Sequence, residues 1–321
     1  MRHIITGGAG FVGTYMASAL ARRGESVVVF DLDEPLSRNN SIDFVRGDVR
    51  QHGDLEKLYL QRDDVVYHLA ARSFHRGVPH RNRDQWFSDV NVNGTQFLLE
   101  AISAGYTQRL VFFSTDMTYG KPVHTPVNPT DLQRPIGPYG RSKVVAEQLL
   151  MQARKEFGLQ ATIFRPRLIV GAGRLGILTK LFRLIRAGLP IPLIGAGKNR
   201  YQMIAVEDCV AAALAAVERN CPPGPFHLGS HEPPTVKELL RELVLRAGSR
   251  SILLPIPAGI LKTTLALLDR AALTLLHPEQ FSIANIDYVL NTESTTKYLG
   301  WTPSKSDMDI IFEAYTGFLT S

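Results

Sequence analysis

Cysteine is nearly missing from this chain. Only Cys209 and Cys221 occur, with eleven residues between them, no CxxC pair and no Cys/His cluster around them. That argues against a disulfide framework or a zinc site, so no metal is expected, and it points to a reducing, cytoplasmic setting. Long hydrophobic runs are also missing. The most apolar stretch, 251–276, is broken by Pro255, Pro257, Lys262, Asp269 and Arg270. It falls short of the about 18 uninterrupted apolar residues that a membrane span needs. It is expected to be a core or pocket-lining helix, with a membrane-surface helix as the alternative. No charge sign dominates: 36 Lys and Arg face 30 Asp and Glu, a net +6. That surplus suits an anionic cofactor or substrate but is too diffuse for a nucleic-acid face, and none is expected. After Met1-Arg2 the chain runs into a short apolar stretch with no leader pattern. Internal repeats and low-complexity tracts are absent from the sequence.

What is present is a regular alternation. Short apolar runs at 3–6, 26–30, 44–46, 64–68, 109–114, 161–165 and 226–228 predict strands, and the patterns at 10–23, 85–104 and 140–157 predict helices between them. Strand–helix alternation predicts an α/β fold with a parallel sheet covered on both faces. The 321 residues suffice for a large core, with one smaller appended region. After Pro166 prolines cluster at 190, 192, 222, 223, 225, 233, 234, 255 and 257. A main domain over 1–165, rejoined by 200–230, and a smaller interleaved C-terminal substrate region over 166–199 and 231–321 are therefore expected. Thr235 followed by Glu238 has capping-box spacing and predicts a helix start. Asp208 is expected to N-cap a helix over 209–218. His68 and Trp301 read as core residues.

The first predicted strand runs into Gly7-Gly8-Ala9-Gly10-Phe11-Val12-Gly13 and then a helix. Gly7, Gly10 and Gly13 have GxxGxxG spacing. A tight turn needs glycine at positive φ, a pyrophosphate must approach bare backbone, and the helix N-terminus presents unpaired N–H groups to it. The strand–loop–helix context is what distinguishes a dinucleotide site from a chance triplet, so a Rossmann doubly wound sheet is expected. The second strand ends at Asp31, an acid suited to the adenosine ribose hydroxyls that would repel a 2′-phosphate, favouring NAD over NADP. Arg38 lies nearby and weakens that preference.

Tyr139 and Lys143 are four apart on a predicted helix and share a face. A phenol titrates near about 10, and a neighbouring ammonium together with a cationic nicotinamide lowers that value toward neutrality, letting the phenolate act as a base. Lys143 also suits the nicotinamide ribose. The strand at 109–114 delivers Ser114-Thr115-Asp116 to its C-terminal end, where ligands bind in open α/β sheets. Thr115 can hydrogen-bond a substrate hydroxyl and share its proton with Tyr139.

With these pieces the chain resembles the extended short-chain dehydrogenase/reductases, the nucleotide-sugar epimerase/dehydratase family. GGAGFVG at 7–13, Asp31, GDV at 47–49, HLAA at 68–71, NVNGT at 91–95, STDMTYG at 114–120, PYGRSK at 138–143, RPRLIVG at 165–171, VED at 206–208 and LGW at 299–301 occur in family order along the whole chain. The resemblance implies Tyr139 as catalytic acid/base, Lys143 as ribose-binding lysine and Thr115 as the residue steadying the reacting hydroxyl. It places Asp48 and Val49 beside the adenine, Leu69, Ala70, Ala71 and Pro166 along the cofactor, and makes Asn91 the asparagine that shapes the site. Phe11 and Val12 belong to the same cofactor loop. Homodimerisation through the helices at 85–104 and 140–157 is implied as well.

Several positions depart from the family pattern. Dehydratases of the family carry a Glu two residues after the Thr, and here Met117 stands there; a thioether takes no proton. That favours epimerisation through a transient keto sugar, with an NAD(P)H-dependent ketoreductase or hydroxysteroid-type dehydrogenase as the alternative and a non-catalytic dinucleotide sensor or scaffold as the third reading. Leu168 replaces the usual Asn. The diphosphate-binding Arg position holds Tyr201, with Arg200 one residue before it, and a one-residue offset on a strand turns a side chain to the other face. Arg72, Asp116, Met117, Arg167, Arg174 and Arg200 are the candidate substrate contacts, Lys198 a further cation. His75 and Arg76 read equally well as a solvated loop. The apolar 251–276 stretch resembles the branch of the family that takes bulky apolar substrates.

Overall fold

A computed structural model describes residues 1–35, 41–74, 77–173, 178–274 and 276–320. The first half alternates β1 (Arg2–Thr6), α1 (Phe11–Arg22), β2 (Ser26–Asp31), β3 (Ile42–Arg46), α2 (His52–Glu56), β4 (Val65–His68), α3 (Arg83–Ser88), α4 (Thr95–Ala104), β5 (Arg109–Phe113) and α5 (Pro138–Phe157). The second half adds β6 (Gln160–Pro166), β7 (Leu168–Val170), α6 (Leu178–Arg186), β8 (Ile191–Ile194), β9 (Met203–Ala205), α7 (Val206–Glu218), β10 (Phe226–Leu228), α8 (Val236–Arg246), β11 (Leu253–Ile256), α9 (Ala258–Arg270), α10 (Pro278–Ile283), α11 (Glu293–Leu299) and α12 (Asp307–Thr320).

Seven strands pair in the order β10-β6-β5-β4-β1-β2-β3, all parallel. Neighbouring residues on one strand serve opposite faces, as a pleated sheet requires. Ile5, Val27, Val29, Tyr67 and Val111 pack on one side with Met16 and Leu20 of α1 and Val210 and Leu214 of α7. Ile4, Val28, Val66, Leu110 and Phe112 pack on the other with Leu98 and Ile102 of α4 and Leu150 of α5. This is a doubly wound α/β sheet. Its strand order reverses between β1 and β4, so a crevice opens at their C-terminal ends. A separate cluster with Phe182, Leu243, Ile310 and Tyr315 joins α6, α8 and α12 to the two-stranded pairs β8–β11 and β7–β9.

Four features differ in detail from what the sequence predicts. The helix expected over 85–104 begins at Arg83 and widens into a π-helical stretch, Asp89–Gly94, before α4. There Gly94 lies so close to Val49 that a β-carbon would meet its Cγ2 at 2.8 Å. Helix α5 starts two residues earlier than expected, at Pro138, because proline's fixed φ and missing N–H suit a first helical position. Asp208 does not cap a helix over 209–218: β9 runs directly into α7 at Val206, and Ala205 is the cap residue. Asp208 instead holds the loop after α11, accepting Ser304 N at 3.0 Å and Ser304 Oγ at 2.6 Å. The apolar stretch 251–276 is not a core helix either: in α9 only Leu265 is buried, while Ile260 and Leu267 are exposed. Among the described residues no helix is long and apolar enough to cross a membrane. Cys209 and Cys221 are buried free thiols, and the Thr235–Glu238 capping box forms as expected.

Candidate active site

The glycine loop joins β1 to α1 at the crevice. Gly7 takes φ +72°, and a β-carbon there would lie 2.5 Å from Ala70 N. Gly13 is packed tighter still: its β-carbon would meet Gly7 O at 2.4 Å and Gly8 Cα at 2.6 Å. The loop can therefore fold back on the helix start only with glycine at both places. Gly10 caps α1 without any capping side chain, and no acid occupies the first turn. The N–H groups of Phe11, Val12 and Gly13 begin the helix there, which is the geometry that receives a phosphate. Asp31 ends β2 beside the loop and accepts Ala9 N at 2.9 Å. Leu69 N donates to Thr6 O at 3.0 Å, which brings Leu69–Ala71 against the same loop. These residues fit a dinucleotide: bare backbone, a helix start with no capping side chain and a carboxylate at the strand end.

Asp48 and Val49 follow β3. Burial tends to raise the Asp48 carboxyl, but Arg50, bonding it through both Nε and Nη2, outweighs that and holds it below the usual carboxylate range. Val49 is buried against Gly94. Pro166 is buried at the end of β6, in register with Leu228.

A chain of buried hydrogen bonds ties the cofactor side of the crevice to α5. Thr6 Oγ1 meets His68 Nδ1 at 2.7 Å, His68 Nε2 meets Thr95 Oγ1 at 3.0 Å, and Thr95 Oγ1 donates to Asn91 O at 2.8 Å. Asn91 Oδ1 accepts Arg72 N at 2.8 Å, and its Nδ2 donates to Ser142 Oγ at 2.9 Å. Ser142 Oγ in turn donates to Tyr139 O at 2.8 Å. Complete burial, helped by Lys143, pushes the His68 imidazole down to about 3, so it is neutral and works as a strut.

Lys143 is buried, donates to Phe113 O at 2.8 Å, and lies 4.5 Å from the Phe112 ring centroid. Burial lowers it to about 7, with Glu147 pulling the other way. Thr115 is buried directly beyond β5. Its Oγ1 accepts Met117 N and donates to Asp116 Oδ1, each at 3.2 Å. Tyr139 is half-buried at the start of α5, its ring 5.1 Å from Phe74 and 5.6 Å from Phe87. Thr115 and the carbonyl that holds Lys143 thus sit at the C-terminal edge of β5, and α5 rises beside that edge.

The remaining expected contacts are dispersed. Asp116 is paired to Arg167 at 2.5 Å, and the Arg167 guanidinium is sandwiched between Tyr201 and Tyr288, 4.1 and 4.2 Å from their ring centroids. Met117 packs against a small cluster with Tyr119, Ile283 and Tyr288. Arg72 lies over Trp86 and donates to its carbonyl at 2.5 Å. Arg200 forms a two-pronged pair with Asp287, and Lys198 is exposed. Leu168 is partly buried on β7. Arg38, His75, Arg76 and Arg174 lie outside the described residues.

One group at the site has no counterpart in the sequence reading. Glu279 of α10 reaches the start of α5 and accepts Tyr139 N at 3.1 Å and Gly140 N at 3.2 Å. Burial raises its carboxyl above the usual range, while the two N–H donors partly offset that. The available hint was negative: a helix beginning Gly137-Pro138 brings no capping side chain of its own. Beside Glu279 lies a cavity of about 160 Å³, walled by Phe74, Phe87, Arg141 and His277. The larger groove, about 820 Å³, is lined by Gln148, Lys155, Arg219 and Pro222 at the opposite end of the sheet and contains none of these residues.

A family model described as NAD dependent epimerase/dehydratase family matches residues 3–229. A UDP-glucose 4-epimerase of Streptomyces lividans is 30% identical over 346 aligned positions, covering 98% of this chain and 95% of its own. An uncharacterized protein of Sinorhizobium fredii is 29% identical over 315, covering 98% and 78%. The solved structure of UDP-glucose 4-epimerase from Thermotoga maritima with UDP-glucose shares the fold, with a TM-score of 0.80 at 24% identity over 100% of this chain and 99% of that one. The chain belongs to the NAD-dependent epimerase/dehydratase family, as an epimerase-like extended short-chain dehydrogenase/reductase whose cofactor is NAD.

Proposed function

We propose that the chain is an NAD-dependent epimerase of a nucleotide-activated sugar that works through a transient keto intermediate. The observation that carries this reading is the grouping of Thr115, Tyr139 and Lys143 at the β5–α5 edge with Met117, not an acid, two residues after the Thr. The nearest carboxylate in sequence, Asp116, is already committed to Arg167. Alcohol–ketone chemistry is equipped, and removal of a carbon-bound proton for dehydration is not. The likeness to the UDP-glucose 4-epimerase of Streptomyces lividans supports a sugar nucleotide as substrate.

NAD, when bound, supplies the hydride acceptor and returns the hydride. The chain's own residues do the rest. The α1 N-terminus takes the diphosphate, with Gly7, Gly10 and Gly13 keeping the approach clear. Asp31 accepts from the adenosine ribose, and Lys143, withdrawn from water, donates to the nicotinamide ribose. Asn91 holds the 72 loop and the first turn of α5 in register. The Tyr139 phenolate takes the proton of the substrate hydroxyl, steadied by Thr115 Oγ1, and gives it back after the keto sugar has presented its other face. Arg72, Arg167 and Arg200 are proposed to add positive charge on the substrate side. The helices over 85–104 and 140–157 are proposed to face a second copy of the chain. Val145 and Met151, 40% and 42% exposed on α5, support that.

The test is mass spectrometry of ligands released from purified protein, followed by incubation with UDP-, GDP-, CDP- and dTDP-sugars. Isomer formation with no net change in reduced-nicotinamide absorbance is expected. Net consumption of reduced cofactor would instead identify a ketoreductase, which uses the same three residues. Tyr139→Phe is expected to abolish turnover and keep dinucleotide binding. Protein that binds no dinucleotide defeats the reading.

A further inference from the structure

The start of α5 has an unusual cap. Pro138 has no N–H and Gly137 has no side chain, so the cap residue offers no side-chain acceptor to the N–H groups of the first turn. Glu279 supplies one oxygen to Tyr139 N and one to Gly140 N, from about 140 residues downstream in sequence. Gly137 makes the room: a β-carbon there would lie 2.4 Å from Glu279 Cδ. The same α10 segment reaches Tyr139 by a second route. His277 stacks on Phe74 at 5.0 Å, and Phe74 meets the Tyr139 ring edge-on at 5.1 Å. Backbone and ring of Tyr139 are thus both set by 277–279.

We infer that Glu279 is a positioning residue for Tyr139: its buried carboxylate fixes the first turn of α5 and raises the proton affinity of the phenol. This rests on the reading of Tyr139 as the proton-transfer group. A negative charge at the helix start offsets the positive end of the α5 dipole, which would otherwise favour the phenolate. Among the described residues, three pairs of opposite charge lie on the elements around Tyr139. On α5, Arg141 bonds Asp84 of α3 at 2.7 Å. Arg83 of α3 bonds Asp269 of α9 at 2.9 Å. Beyond β5, Asp116 bonds Arg167. His277, half-buried, is pushed down by burial and by Arg83. Toward the phenol, Lys143 and Glu279 act in opposite senses. Lys143 favours its ionised form and Glu279 its protonated form, so the carboxylate sets how far the lysine can lower it.

The experiment titrates near-ultraviolet tyrosinate absorbance with pH in NAD-loaded full-length protein. Wild type, Glu279→Gln and Glu279→Asp are each compared with the same chain carrying Tyr139→Phe, so the difference isolates Tyr139. NAD content and thermal midpoint are recorded alongside. Glu279→Gln, which keeps the shape and loses the charge, is expected to move the Tyr139 midpoint down by about half a pH unit or more. Glu279→Asp, which keeps the charge, is expected to leave it near wild type even if it lowers the thermal midpoint. A Tyr139 midpoint that stays put in Glu279→Gln, or that moves alike in both variants, makes Glu279 a helix cap only and overturns the inference while leaving Tyr139 its role. Absence in wild type of a Tyr139-dependent step below the ordinary phenol range overturns the inference and the reading beneath it together.

Discussion

Glu147 lies one turn beyond Lys143 on α5, with a side chain 1% exposed. It receives Arg165 Nε at 3.0 Å and Nη2 at 2.5 Å, Gln133 Nε2 at 2.9 Å, and a short bond from Ser114 Oγ. Glu147→Ala leaves Arg165 with only its Nη1 bonds, to Tyr119 OH and Pro129 O. The Arg165 side chain is only 6% exposed, so water cannot replace the carboxylate. Breaking a buried pair in this way costs about 3–5 kcal/mol, because the surviving charge keeps its desolvation penalty. At roughly 2 °C per kcal/mol for a chain of this size, the thermal midpoint should fall by about 6–10 °C. Glu147→Met with Arg165→Met removes both charges and should recover at least half of the loss, since apolar replacement of a buried pair is often close to neutral. Calorimetric and urea unfolding of wild type, Glu147→Met, Arg165→Met and the double variant measure this cycle, with Glu147→Ala alongside. Turnover should fall in the single variant too, because Ser114 adjoins Thr115 and Glu147 favours the charged form of Lys143. A single-variant loss below about 1 kcal/mol, or a double variant as costly as the two singles combined, would refute the account of the pair.

Three further outcomes are expected. Gly13→Ala forces a β-carbon against Gly7 O and Gly8 Cα; the NAD dissociation constant should rise at least about tenfold with the far-ultraviolet spectrum unchanged, and calorimetry finding wild-type affinity would contradict the close approach. Asp31→Ser removes both the strand-end carboxylate and the acceptor for Ala9 N, so NAD should weaken while the NADP-to-NAD affinity ratio rises; a lower ratio in competition binding counts against the assignment. Asp307 is pushed up to about 6 by burial despite its bonds from Ser230 and Met203. Its folded value lies above the unfolded value of about 3.9, so its contribution is full below that value and is lost as pH rises through 6. Wild type should therefore lose stability relative to Asp307→Asn between acidic and alkaline pH, on the order of 3 kcal/mol; a difference that stays flat with pH rules this out.

The parts of this protein written in its sequence are those whose physics is local. A glycine loop between a strand and a helix needs residues without β-carbons within a few positions of each other, so Gly7, Gly10 and Gly13 are legible along the chain. The same holds for Asp31 at a strand end, for Tyr139 and Lys143 one helical turn apart, and for the alternating runs that become the seven-stranded sheet. The Thr235–Glu238 box is legible for that reason too. The start of α7 is not legible at Asp208, because a strand running straight into a helix leaves no turn residue to mark it. The 251–276 stretch is not legible as core or exposed, because apolar content does not say whether a partner surface lies against it; α9 buries only Leu265.

Long-range pairings belong to the tertiary structure alone. Which acid meets which base among 30 acids and 36 Lys and Arg residues depends on distances that only the folded chain sets. So the sequence offers Arg167 and Arg200 as cations for a substrate, but that Arg167 pairs with Asp116 between Tyr201 and Tyr288, and Arg200 with Asp287, is visible only in the folded chain. Glu279 shows the division most plainly. Gly137-Pro138 announces a helix start that lacks a cap, because capping is a short-range need. Where the missing acceptor comes from is decided by the packing of α10 against α5, and hydrogen bonds across such a separation leave no period or spacing for a sequence to display.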